Sequence, residues 1–109
     1  MTFEKLFDAF AQGVHLTAIE KGWWDRSRNE LEIAALIHSE ISEMVEAARH
    51  GDPPDDKIPE YSGVEAELAD VIIRIMDFAV ERKYNITGAL IAKAEFNKTR
   101  PVRHGGKKH

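Results

Sequence analysis

Glu40, Glu43, Glu67 and Asp70 are the residues of this chain whose types and spacing point most directly to chemistry. They form two pairs, Glu40-Ile-Ser-Glu43 and Glu67-Leu-Ala-Asp70, separated by 23 residues. On a helix, residues three apart stand about one turn apart and face the same way. Two such pairs on neighbouring helices would therefore offer four carboxylates to one volume. A set of hard oxygen ligands of that kind suits Mg2+, with Mn2+ as the alternative. Either ion can neutralise phosphate oxygens and orient a water. The chain has no cysteine, which excludes thiolate metal sites, disulfides and thiol nucleophiles. One acid-x-x-acid pair alone reads as a solvated helix face. Two pairs, each flanked by apolar residues, are harder to explain that way.

The elements that must carry these acids follow from hydrophobic spacing. Phe3, Leu6, Phe7, Phe10, Val14 and Ile19 recur with a helical period, and Thr2 stands where an N-cap belongs. Gly22 interrupts the pattern, and Ser27 and Asn29 are candidate caps for a second helix from about Asn29 to Arg49. The stretch from His50 to Pro59 holds three of the four prolines and must be irregular. Ser62, with Glu65 three residues on, predicts a capping box opening a third helix that runs to about Lys83. Asn85 or Thr87 opens a shorter fourth helix ending near Lys98, and Pro101 blocks its continuation. No segment alternates with a period of two. The expectation is an all-α domain over residues 1–100, with a basic, flexible tail over 101–109.

On a helical wheel at about 100° per residue, Ile33, Ala34, Ile37, Ile41, Met44, Val45 and Ala48 fall on one arc, the expected core face of the second helix. Glu40 and Glu43 lie beside it, interleaved with Leu36 and Ala47. Covering an ionised carboxylate costs several kcal/mol unless a cation or hydrogen bonds compensate. An apolar residue would normally fill such a position. The third helix is apolar over a much wider arc, leaving a narrow strip of Glu67, Asp70, Arg74, Asp77 and Glu81. Such a helix needs cover on several sides, more than three short helices supply, so the predicted four-helix bundle is completed by oligomerisation into a homodimer or homotetramer.

Composition narrows the partners. With 43% hydrophobic and 31% charged residues in 109, the chain is an ordinary single globular domain. The N-terminus lacks the pattern of a secretory signal, so a cytoplasmic location is expected. No apolar run reaches the roughly 18 to 20 residues of a membrane span. The net charge is −4, yet Arg100, Arg103, Lys107 and Lys108 crowd the last ten residues, which contain no acid. The body is therefore more acidic than the total, which argues against binding a nucleic-acid polymer.

The two motifs, with the flanking runs Ser39-Glu-Ile-Ser-Glu-Met-Val-Glu-Ala and Ala66-Glu-Leu-Ala-Asp-Val-Ile-Ile, resemble the Glu-x-x-Glu and Glu-x-x-Asp signature of the MazG-like, all-α nucleotide pyrophosphohydrolases. The resemblance spans the second to fourth helices. Many relatives carry adjacent glutamates at the first motif, where this chain has Ser39 before Glu40. The resemblance implies Mg2+-dependent cleavage of the α–β anhydride of a nucleoside triphosphate, giving a monophosphate and pyrophosphate, with house-cleaning of unwanted nucleotides as a family-level role. It implies that Glu40, Glu43, Glu67 and Asp70 hold the metal and that Glu40 or Glu43 also activates the water. Lys93 and Asn97 share a face and Arg100 follows, a cluster suited to phosphate oxygens. The helix dipole alone would account for such basic residues; the resemblance implies nucleotide contact, including contact from a neighbouring subunit. Trp23 and Trp24 precede the acidic helix, where an aromatic face can stack on a base or cap the core. Two other readings compete: a helical interaction protein whose acids only solubilise it, and a phosphoribosyl-ATP pyrophosphohydrolase of the same superfamily. A di-iron bundle would need Glu-x-x-His pairs, which the chain lacks.

Overall fold

The computed structural model describes residues 1–102, so of the tail expected over 101–109 the part from residue 103 lies outside the described residues. The chain forms four helices, α1 (Phe3–Glu20), α2 (Glu30–Arg49), α3 (Gly63–Glu81) and α4 (Ile86–Lys98). No strand occurs among the described residues; the only pairing is an isolated bridge between Pro54 and Ser62.

Each helix begins where a side chain can satisfy its first amides. Thr2, Asn29, Ser62 and Asn85 accept from the backbone N–H three residues on, and Ser62 with Glu65 forms the predicted capping box. Asn85 caps α4, while Thr87 is buried and donates from its hydroxyl to Asp8 at 2.5 Å, tying α4 to α1.

The first three helices end on one device, the Schellman turn. Gly22 and Gly51 take positive φ just beyond α1 and α2, and the following amides of Trp23 and Asp52 reach back to Ala18 and Ala47. The sequence predicts α3 running to about Lys83, but it stops at Glu81. Lys83 itself adopts φ +60°, the amide of Tyr84 bonds the Ala79 carbonyl, and the Tyr84 ring packs edge-on against Phe78. With no glycine at that position, the sequence carries no stop signal there.

α3 is the spine, packed against α2 on one side and α1 on another, while α4 packs on α1. Both neighbours run antiparallel to α3. Gly63 at its start comes so close to the end of α2 that a Cβ there would lie 2.9 Å from the Cβ of Ala47. At the other end Arg82 pairs with Glu30 and donates to the Arg28 carbonyl.

The covered face of α2 differs from the expected arc. Ile33 is buried and Leu36, Ile37, Glu40, Met44 and Ala47 are half-buried, whereas Ala34, Ile41, Val45 and Ala48 are exposed. The stripe facing α3, the helix against which α2 chiefly packs, is thus centred on Glu40 itself. Leu68 and Ile72 of α3 are exposed as well, as are Leu6, Phe10 and Leu16 of α1.

Candidate functional site

Glu40 projects from the middle of α2 toward α3, where Glu67 and Asp70 stand on successive turns. One carboxylate oxygen from each of the three lies within 4.8 Å of the others. Glu67 Oε1 is buried without a hydrogen-bond partner. A buried carboxylate oxygen left unpaired is costly, and a cation is the kind of group that removes the cost. The Glu67 carboxyl is pushed up to about 7, by burial first, then by the neighbouring Glu40 carboxyl and the charges of Asp70 and Glu43. Asp70 is also raised, by burial first and then by Glu40, with Arg74 opposing. Carboxylates that raise one another's pKa resist ionising together unless positive charge joins them.

Glu43 is not one of the three converging residues. It is exposed and lines a depression of about 390 Å3 under the proline-rich linker, shared with Glu46, Asp55, Asp56 and Glu67. Its charge still acts on Glu67. Glu40 and Asp70 line a separate cleft of about 340 Å3 whose other walls come from the second half of α1, from Lys21 and Trp23, and from Ile73, Arg74 and Asp77 of α3. A further cleft, of about 720 Å3 beside Asp8, His15 and Tyr84, is lined by none of the four acids.

The two tryptophans have separate surroundings. Trp24 donates its indole N–H to both oxygens of Asp77, at 2.9 and 3.1 Å, and does not line the cleft beside Glu40. Asp77 is buried and also meets His15 Nδ1 at 2.7 Å, so α1, α3 and the loop between α1 and α2 are joined at one carboxylate. Trp23, held one residue away by that anchor, lines the cleft and has the guanidinium carbons of Arg28 and Arg74 at 4.2 and 4.7 Å from its ring centroid.

Lys93, Asn97 and Arg100 are exposed on or just after α4, and within one chain they are not brought to the acids. Lys93 and Arg100 instead lie near the Phe96 ring. His38 of α2 is exposed. Sequence reasoning passed over His15, hidden in the apolar pattern of α1, and Arg74, placed in the polar strip without a task. Arg74 donates from Nε to Glu40 Oε2 at 2.8 Å. The available signal was its position four residues after Asp70, one turn along the same face. No protein-family model, no curated protein and no solved structure matches this chain.

Proposed function

We propose that the chain is a divalent-metal-dependent nucleotide pyrophosphohydrolase, cleaving the α–β anhydride of a nucleoside triphosphate as the MazG-like enzymes it resembles do. The observation that carries this reading is the convergence of Glu40, Glu67 and Asp70 around a buried carboxylate oxygen with no partner. The donor set fits Mg2+ or Mn2+, both of which favour carboxylates and leave positions for phosphate oxygens. When bound, the cation supplies neutralisation of charge on the phosphate oxygens. Glu40, Glu67 and Asp70 would hold it, and Glu40 or Glu43 would accept a proton from the attacking water. Trp23 lines the cleft, and a base stacking on its ring would take the place of the Arg28 guanidinium now over it.

The exposed apolar residues Ile41 and Val45 of α2 and Leu68 and Ile72 of α3 support assembly into a homodimer or homotetramer. In such an assembly a neighbouring subunit is the source from which Lys93, Asn97 and Arg100 would reach the phosphates. The same exposed faces favour the second reading, a helical interaction protein without catalysis. The two readings part on one experiment: ribo- and deoxynucleoside triphosphates and phosphoribosyl-ATP are screened with Mg2+ and Mn2+, and pyrophosphate is measured separately from orthophosphate. Metal-dependent pyrophosphate release is expected with at least one of them. Its absence with all of them, together with no Mn2+ binding, would leave only the interaction protein.

A further inference from the structure

Arg74 is the one cation in direct contact with the acidic cluster among the described residues, and its engagement there is partial. Its Nε–H donates to Glu40 Oε2 at 2.8 Å, and its guanidinium carbon lies 4.7 Å from the Trp23 ring centroid. The two terminal nitrogens make no hydrogen bond among the described residues. The side chain is 27% exposed, and it lines the cleft of about 340 Å3 in company with Lys21, Thr17, Trp23, Glu40 and Asp70. An arginine whose role was only to neutralise Glu40 would gain most by meeting both carboxylate oxygens with a two-pronged contact. Here Nε alone is used, and the residue lines the cleft with its remaining donors unbonded among the described residues.

The cleft's lining combines the acids Glu40, Asp70 and Asp77 with the cations Arg74 and Lys21 and the apolar Val14, Ala18, Ile73 and Trp23. An anion attached to a cation held by Glu40 would have Arg74 within reach, since Arg74 Nε lies 2.8 Å from that carboxylate. Guanidinium donors match phosphate oxygens in geometry, and the group is always charged. The Arg74 guanidinium is held between the Trp23 ring, 4.7 Å from its carbon, and the bond to Glu40. Trp23 is in turn held by its neighbour Trp24, anchored on the buried Asp77.

We propose that Arg74 binds the substrate's phosphate oxygens directly, so that each chain carries a phosphate-binding cation of its own independently of the basic residues on α4. This rests on the metal and polyphosphate chemistry proposed above. The test is titration calorimetry of the full chain with Mn2+ alone, then of the Mn2+-loaded protein with inorganic tripolyphosphate, for wild type, Arg74→Gln and Arg74→Lys. Helicity is checked by circular dichroism. Arg74→Gln is expected to keep Mn2+ affinity within about threefold and to weaken tripolyphosphate at least tenfold, equivalent to about 1.4 kcal/mol. Arg74→Lys keeps the charge but not the fork, and should fall between the two. Should Arg74→Gln fail to fold, the Lys variant decides the matter, since tripolyphosphate binding equal to wild type overturns the proposal. Equal weakening of Mn2+ and tripolyphosphate in Arg74→Gln would also overturn it, by showing that Arg74 acts only through Glu40. A wild type that does not bind Mn2+ at all would instead remove the metal reading beneath it.

Discussion

Replacing Glu67 by glutamine tests the acidic cluster through what it costs the fold. In the metal-free chain the carboxyl of Glu67 is pushed up to about 7 from an ordinary 4.5. At about 1.36 kcal/mol per pKa unit, its charged form would be about 3.4 kcal/mol less favourable in the folded chain than in the unfolded one. The side chain is only half-buried, so solvent screening reduces this to about 1 to 2 kcal/mol. Below pH 4.5 the group is protonated in both states and costs nothing. Between 4.5 and about 7 the unfolded chain gives up its proton while the folded chain keeps it, so stability falls as pH rises and the loss is complete above 7. Glutamine keeps the shape without the charge. In chelator at pH 8 the variant should melt higher, by about 4 to 8 °C per kcal/mol for a domain of this size, whereas near pH 4.5 the two proteins should melt together. Adding Mn2+ at pH 8 should invert the order, because an ion that binds the folded wild type stabilises it in proportion to its occupancy. Thermal melts followed by circular dichroism, at both pH values with and without Mn2+, read all of this. A variant less stable than wild type at both pH values in chelator, or one that Mn2+ stabilises as much as wild type, would refute the reasoning.

Asp70→Asn should weaken Mn2+ binding by tenfold or more and abolish metal-dependent pyrophosphate release while helicity stays, measured by calorimetry and product assay. Trp24→Phe removes the indole donor from the buried Asp77 and should cost about 1 to 3 kcal/mol in urea unfolding, the range for a buried polar group losing a partner. Gly63→Ala sets a Cβ against Ala47 at 2.9 Å and the Pro53 carbonyl at 3.4 Å, and overpacking of that kind should cost about 1 to 3 kcal/mol on the same assay. Ile72→Glu places charge on the exposed apolar strip of α2 and α3; light scattering should show a smaller assembly than wild type, and a wild type that is itself monomeric would contradict the proposed oligomer.

The number of helices and most of their limits were legible because the signals are local. A cap needs one side chain and one amide three residues away, so Thr2, Asn29 and Ser62 announce helix starts without knowledge of the rest. The end of α3 was less legible for a physical reason. Lys83 accepts a left-handed conformation that glycine adopts without cost, and it is held there by the Tyr84 amide and the Phe78–Tyr84 contact. Which face of α2 is covered was also beyond local reading. The wheel finds the most apolar arc, and α2 turns a different stripe toward α3, leaving Ile41 and Val45 exposed in the single chain.

The candidate site follows from that rotation. Residues three apart on a helix differ by about 60° around its axis, so an acid-x-x-acid pair converges on one point only when the direction toward the neighbour falls between its two members. On α3 Glu67 and Asp70 meet that condition with respect to Glu40. On α2 the covered stripe is centred on Glu40, which carries Glu43 about 60° away to the edge and into the depression under the linker. The spacing thus identifies which residues can meet, and the packing of α2 decides which do. Arg74 shows the converse. It lies on the same face as Asp70, one turn on, and becomes relevant only because Glu40 arrives from the other helix at the height between them. Geometry set by two helices separates the four motif acids into three that converge and one at their margin, and it adds a cation the motif does not contain.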